Sequence, residues 1–182
     1  MKSESDQVQE LIEHEIPVAI QADIARLLEL CFPNTFEGRT YYKQLPDFRL
    51  LLWNRGILAG QLGIDSRMVN IGGDILRVFG IIDLCVHPQQ RGEGIASLLL
   101  SKAEKIGQLH DRDFLVLMAD RHEVYMKSGF TRVEPAHTKW LGIDERKSAG
   151  VIQRDLGDCF LIKPLSNRPW PSGEIDMLGY LF

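Results

Sequence analysis

The stretch Ile81-Ile82-Asp83-Leu84-Cys85-Val86-His87-Pro88-Gln89-Gln90-Arg91-Gly92-Glu93-Gly94-Ile95-Ala96 decides how the rest of the chain is read. Its first part is rich in β-branched and apolar residues and ends at His87-Pro88, which predicts a strand and its exit. Two glycines follow, and then Ile95, Leu98, Leu99, Ala103 and Ile106 recur at the three-to-four spacing of an amphipathic helix ending near Gly107. Strand, glycine-bearing turn and helix start together make an anion site. The first backbone N–H groups of a helix have no internal partner, and small residues let a pyrophosphate approach the backbone. A Walker loop would require Gly-Lys-Ser/Thr, and Ile95-Ala96-Ser97 supplies no lysine. A dinucleotide fingerprint would place glycine or alanine where Ser97 stands and would open an alternating strand-helix unit.

Upstream of the loop the pattern is that of a meander. Phe48 to Trp53, Ile57 to Val69 and Ile75 to His87 read as strands, separated by Asn54-Arg55-Gly56 and Asn70-Ile71-Gly72-Gly73-Asp74, whose residues tolerate the positive φ of tight hairpins. Before them Ile20, Ile24, Leu27, Leu28 and Cys31 mark an amphipathic helix between Pro17 and Pro33-Asn34, and Arg39 to Gln44 reads as a short helix. Downstream, Phe114 to Met118 is an unbroken apolar run, as in a strand covered on both faces. A short helix near His122 to Lys127, a strand through Val133 and a last strand at Cys159 to Ile162 complete the pattern. Ile143 to Asp158, being polar, reads as a long loop. The tail from Pro164 to Phe182 ends in the apolar Met177-Leu178-Gly179-Tyr180-Leu181-Phe182, which predicts a docked rather than a free segment.

Composition narrows the class. The 182 residues are 45% hydrophobic and 25% charged, values ordinary for a soluble globular protein, and they read as a single domain, 1–182, with 165–182 as its docked tail. The apolar stretches fall far short of the roughly 18 residues needed to span a membrane. Met1-Lys2 followed by the polar run Ser3 to Gln9 does not read as a secretory signal. With 21 Lys plus Arg against 25 Asp plus Glu, the net charge of -4 speaks against a nucleic-acid surface and suits a small cationic substrate. Cys31, Cys85 and Cys159 are an odd number, each alone in an apolar setting. They argue against a disulfide framework or a metal site and for a reducing cytoplasm.

The loop Arg91-x-x-Gly94-x-Ala96 resembles the acyl-coenzyme A pyrophosphate loop of the GNAT superfamily of N-acetyltransferases. The resemblance extends to the Val86-His87-Pro88 strand exit, the helix that follows, the strand at Phe114, and Tyr125-Met126-Lys127-Ser128-Gly129-Phe130, which is similar to that superfamily's Tyr-x-x-x-Gly-Phe. Element order agrees from about residue 14 to residue 163. The implied fold is α/β, with a mixed, central splayed sheet and helices on both faces. The implied co-substrate is acetyl-CoA, with no metal. Its pyrophosphate would meet Arg91, Gly92, Glu93, Gly94, Ile95 and Ala96, while its pantetheine arm would run beside Leu84, Cys85 and Val86. Backbone groups of Leu84 and Val86 would pair with the pantetheine amides, a form of strand addition in which side-chain identity matters little.

Acyl transfer from a thioester to an amine needs an uncharged nucleophile, a polarised carbonyl and a protonated leaving thiolate. The resemblance makes Tyr125 the acid for the thiolate, although many relatives carry an Asn a few residues earlier that Met118-Ala119-Asp120-Arg121-His122-Glu123 lacks. An amine of pKa about 10 must also lose a proton. Asp83, on the strand leading to the loop, is the first choice of base, with His87 and His122 behind it. Cys85, without a nearby His-Asp pair, reads as a buried structural thiol rather than a nucleophile.

A second, shorter resemblance concerns the ends of the chain. Thr35-Phe36-Glu37-Gly38-Arg39-Thr40-Tyr41, Pro46-Asp47-Phe48-Arg49 and Trp170-Pro171-Ser172-Gly173-Glu174-Ile175-Asp176 look like pieces of the nodulation N-acyltransferases, and the long tail is similar to that of aminoglycoside 2'-N-acetyltransferases. That branch implies an amino-sugar or other cationic acceptor, with Glu37, Arg39, Trp170, Glu174 and Asp176 beside it. The ordinary coenzyme A loop favours an acetyl donor over a fatty one. The alternatives are a longer acyl donor and a noncatalytic acyl-coenzyme A sensor, and the oligomeric state, a homodimer included, is left open.

Overall fold

The computed structural model describes residues 8–144 and 147–182. Met1 to Gln7, which hold most of the polar run Ser3 to Gln9, lie outside them. The element order is β1 (Val8–Ile12), α1 (Val18–Cys31), β2 (Phe48–Asn54), β3 (Ile57–Ile71), β4 (Asp74–Val86), α2 (Ile95–Leu109), β5 (Phe114–Met118), α3 (Glu123–Lys127), β6 (Thr131–Arg132), β7 (His137–Asp144), β8 (Lys147–Asp155), β9 (Phe160–Pro164) and β10 (Ile175–Asp176). The chain packs as two compact units, one running up to Asp65 and taking in Ile81–Ala103, the other made of Ser66–Gly80 and Glu104–Phe182. Strands β3 and β4 and helix α2 each contribute to both.

In the first unit β1 pairs antiparallel with β2, and β2 antiparallel with β3, in the register Phe48↔Ile64 to Asn54↔Ile57. The β2–β3 hairpin turns on Arg55 and Gly56, both at positive φ (49° and 78°), the two-residue geometry that matches strand twist. Helix α1 buries Ile24, Leu27 and Leu28 in a cluster with Ile16, Phe36, Leu51, Leu58 and Cys85. Burying a leucine or isoleucine stabilises by about 1.5–3 kcal/mol, which fixes this helix against its neighbours. At the start of α2, Gly60 provides the room: a Cβ there would lie 2.6 Å from Ile95 Cγ2 and 3.2 Å from the Cys85 carbonyl.

In the second unit β4 pairs in parallel with β5, from Val78↔Phe114 to Gly80↔Val116, and β5 pairs antiparallel with β9 along its whole length. Parallel β4–β5 among antiparallel neighbours makes the sheet mixed, as expected. Strand β10 joins β3 antiparallel and β7 in parallel. Its Ile175 and the adjacent Met177 are fully buried in a core with Val78, Phe114, Val116, Phe160 and Ile162. Phe182 lies over Gly80, where any Cβ would overlap its ring, and the Arg67 guanidinium stands 4.1 and 4.2 Å from the ring centres of Tyr180 and Phe182.

Three expectations need correction. Residues 39–44 form bends and irregular chain rather than a short helix. Asn34, Glu37 and Gly38 all take positive φ, so the chain bends repeatedly, and the Thr40 carbonyl is claimed by Arg49. Most of Ile143 to Asp158 is not a loop but the β7–β8 hairpin, in register from His137↔Asp155 to Asp144↔Lys147. Almost every residue of β8 is exposed and only Ile152 packs on the core, so the strand leaves little apolar pattern. The strand at Phe160 is not the last, because β10 follows it, and β1 was not anticipated.

Candidate active site

The sequence-predicted residues fall in both units. In the first, β4 ends at Val86 and the turn at Pro88–Gln90 is capped by His87, whose Nδ1 accepts from the Gln89 N–H at 3.3 Å. The His87 N–H donates to Ala59 O at 2.8 Å, so the strand exit stays tied to β3. Arg91, Gly92, Glu93 and Gly94 are exposed, Leu84, Val86 and Ala96 half-buried, and Cys85 and Ile95 buried. Gly92 and Gly94 sit at φ +87° and +78°, a region that only glycine enters freely, and a Cβ on either would meet nothing within 4 Å. Gly94 O accepts from Leu98 N at 3.0 Å and so starts α2. The structure therefore brings the nine predicted cofactor residues onto one strand end, one open loop and one helix start.

Asp83 lies within the same strand at φ +53°, a left-handed residue inside β4. Such a residue interrupts the alternation of a strand and re-aims its side chain. Burial pushes its carboxyl up to about 6, against which the charge of Arg49 pulls down. A carboxylate held near 6 stays ionised at neutral pH and accepts a proton more readily than an ordinary one.

Behind Asp83 stands a polar chain that sequence reasoning missed. Gln61 Nε2 donates to Asp83 O at 2.5 Å, and Gln61 Oε1 accepts from Arg49 at 3.0 Å. Arg49, with no exposed surface, also donates to Glu13 at 2.7 and 3.2 Å and to Thr40 O at 2.6 Å. The available signal was a charged residue and an amide set inside the otherwise apolar runs Phe48 to Trp53 and Leu58 to Ile64.

In the second unit Tyr125 lies in α3, half-buried, its ring edge-on to Phe130 at 5.9 Å. The Tyr125 carbonyl accepts from Ser128 N and Phe130 N, and Gly129 at φ +86° turns the chain out of the helix. Lys163 holds that turn, donating to Ser128 O and Glu104, each at 2.7 Å. His122, just before α3, is half-buried, with Nε2 buried and unpartnered among the described residues.

The predicted acceptor residues separate. Glu37 and Arg39 approach each other at 3.5 Å in the first unit, with Arg39 also bonded to Phe36 O. Trp170 and Glu174 line a depression of about 700 Å3 in the second, together with His137, Gln153 and Asp155. Trp170 also packs edge-on against Phe114 at 5.0 Å. Asp176 is already neutralised: Lys139 lies 2.6 Å away and holds its carboxyl below the usual range, and Gln153 bonds Glu174. Among the described residues no group of three or more His, Cys, Asp or Glu is placed to hold a metal ion, and no helix is long and apolar enough to cross a membrane.

A family model described as an acetyltransferase (GNAT) domain matches residues 20–133, which include β2 to β5, the loop and Tyr125. The chain belongs to the GNAT acetyltransferase family. It has the GNAT fold and is an acyltransferase whose co-substrate is acetyl-CoA, as the loop resemblance implies. Solved GNAT structures agree in fold. Escherichia coli YhbS in complex with CoA is 17% identical, with 94% of this chain and 89% of that one covered at TM-score 0.66. A GNAT acetyltransferase from Brucella melitensis in complex with acetyl-CoA is 16% identical, with 92% and 94% covered at 0.59. Escherichia coli ElaA is 19% identical, with 86% and 97% covered at 0.58. No curated protein matches the sequence.

Proposed function

We propose that this GNAT member transfers the acetyl group of acetyl-CoA to a primary amine of a small cationic or amino-sugar acceptor, by direct attack in a ternary complex. The observation that carries the reading is Asp83, a left-handed, half-buried residue whose carboxyl is pushed up to about 6 on the strand that feeds the cofactor loop. Asp83 takes the proton of the attacking amine, directly or through water. The neutral amine adds to the thioester carbonyl, the C–S bond breaks, the Tyr125 hydroxyl protonates the departing thiolate, and the proton that the nitrogen sheds as it becomes an amide restores the hydroxyl through solvent. Backbone groups of Leu84 and Val86, beside Cys85, align the pantetheine amides, while Arg91 and the N–H groups of 92–96 meet the pyrophosphate.

The acceptor class rests on two supports: the resemblance of the chain ends to amino-sugar acyltransferases, and the depression that Trp170 shares with Glu174, Gln153 and Asp155. An aromatic wall with carboxylates and an amide suits a hydroxylated, positively charged ring. Because Lys139 occupies Asp176, Glu174 is the stronger candidate there. Glu37 and Arg39 are assigned to the same acceptor. The reading takes residues 1–182 as one transferase domain, with its tail serving the acceptor, in a reducing cytoplasm.

The test is release of free thiol from acetyl-CoA with a panel of amines. Turnover restricted to aminoglycosides and polyamines supports the reading. Turnover only with apolar or acidic amines overturns the acceptor class, and CoA binding without turnover on any amine overturns the transferase reading.

A further inference from the structure

One guanidinium ties three stretches of the first unit to the strand that carries Asp83. Arg49 donates from Nε and Nη2 to the two carboxylate oxygens of Glu13, at 2.7 and 3.2 Å, and from Nη2 also to the Thr40 carbonyl at 2.6 Å. The side-on grip of Glu13 fixes the plane of the guanidinium and so the direction of Nη1, which donates to Gln61 Oε1 at 3.0 Å. Gln61 Nε2 in turn donates to the Asp83 carbonyl at 2.5 Å.

This relay can run in one direction only. Arginine has donors and no acceptor, so the Gln61 amide must turn its oxygen to Arg49, which leaves its NH2 for Asp83. Arg49 and Gln61 have no exposed surface, and bulk solvent competes for neither. At φ +53° Asp83 departs from the extended backbone of β4, and a carbonyl inside a strand needs a partner. The Gln61 side chain supplies one at the very residue where the strand bends. Thr40 lies between Arg39 and Tyr41, in the segment assigned to the acceptor, so that segment and the bend in β4 are referenced to one guanidinium.

We propose that Gln61 is a positioning residue of the reaction, holding the left-handed bend at Asp83 so that its carboxylate faces the acceptor amine, while Arg49 sets that bend and the Thr40 segment to a common frame. Gln61 transfers no proton and acts only through Asp83. The role rests on Asp83 being the base, as proposed above.

A double-mutant cycle in the full-length protein tests it, read as thiol release from acetyl-CoA with kanamycin and spermidine as acceptors. Gln61→Glu keeps an acceptor for Arg49 but replaces the NH2 donor by a carboxylate oxygen, which repels the Asp83 carbonyl. The expected result is a fall in kcat of about 10- to 10²-fold, the scale of a small misplacement of a reacting group, with acetyl-CoA affinity by calorimetry unchanged. In an Asp83→Asn background the same change should cost no more than about twofold further, because nothing is left to position. Should Gln61→Glu fail to fold, Gln61→Met, which brings no second carboxylate beside Glu13, takes its place in the cycle with the same expectations. Losses that multiply in the double variant overturn the proposal, since Gln61 would then act other than through Asp83. Wild-type kcat in Gln61→Glu beside an impaired Asp83→Asn overturns the positioning role and leaves the base in place. Full activity of Asp83→Asn overturns the base and the positioning role with it, and no turnover of either acceptor by the wild-type enzyme overturns the proposed function together with this role.

Discussion

The side-chain amide of Gln61 donates to the backbone carbonyl of Asp83 at 2.5 Å, and this bond reaches the one left-handed residue of β4. A non-glycine residue at φ +53° carries a conformational cost of order 1–3 kcal/mol. It persists because Gln61 is itself fixed by Arg49, and Arg49 by Glu13 and Thr40. The proposed base is therefore aimed by a buried polar chain rather than by its own contacts.

Asp83→Asn separates catalysis from stability. A carboxyl whose pKa is higher folded than unfolded binds its proton more tightly in the folded state. Its contribution to stability is full below the ordinary value of 3.8 and is lost as pH rises through about 6. Asparagine imitates the protonated form, so at pH 7 the variant should be more stable, by up to about 3 kcal/mol, yet lose 10²-fold or more in kcat/KM. In the wild-type enzyme kcat/KM should fall below pH about 6 with a single ionisation. A fully active Asp83→Asn would leave Asp83 as a residue that orders the strand.

Arg49→Met should be severely destabilising. It strands the Glu13 carboxylate, the Thr40 carbonyl and Gln61 Oε1 in a place where Arg49 has no exposed surface. Removing one partner of a buried ion pair costs about 3–5 kcal/mol, which for a chain of this size lowers Tm by roughly 10 °C. Thermal unfolding measures it. Glu13→Gln, which keeps an acceptor for the guanidinium, should cost less.

Gly94→Val bears on the loop. The residue has φ +78° and no atom within 4 Å of where a Cβ would lie, so the free protein pays only backbone strain, about 1–3 kcal/mol. The branched side chain would instead occupy the approach of the pyrophosphate, and CoA affinity by calorimetry should fall at least tenfold while the circular dichroism spectrum is retained. Unchanged affinity would remove the loop from the cofactor site.

Tyr125→Phe keeps the ring against Phe130 and deletes the hydroxyl. Turnover should fall by roughly 10- to 10³-fold with CoA affinity nearly unchanged, the range of a general acid. Activity equal to wild type would make Tyr125 a packing residue.

What the sequence made legible follows from burial. Helices α1 and α2 and strand β5 show their apolar spacing because they face a core, as Ile24, Leu28, Leu99 and Val116 do. Strand β8 is exposed almost throughout, with Ile152 alone turned to the core, so a polar segment there reads as loop. Asp83 was found by its place on the strand before the loop, but its left-handed backbone and the Gln61–Arg49–Glu13 chain depend on contacts that pattern does not encode. Nor does spacing reveal that Cys31, at the end of α1, donates to the Val86 carbonyl at the end of β4 and packs against the cluster that holds Cys85.

Trp170 and Glu174 separate the tail's two roles. Trp170 packs on Phe114 and Phe160, and the residues after it include the buried Ile175 and Met177 and the Phe182 ring over Gly80. Truncation before Trp170 would strip that core, and Trp170→Ala alone, at a partly buried ring, should cost about 1–3 kcal/mol, so loss of activity in either would report on folding. Glu174 is 42% exposed at its side chain, lies 4.0 Å from Lys139 and accepts from Gln153, a bond that glutamine can also accept. Glu174→Gln should leave Tm within about 3 °C, because an exposed pair contributes under about 1 kcal/mol. If its carboxylate meets a cationic acceptor, KM for that acceptor should rise several-fold with kcat and CoA affinity unchanged, and raised ionic strength should shrink the difference. An unaltered acceptor KM in this folded variant would show that the tail covers the core and takes no part in acceptor recognition.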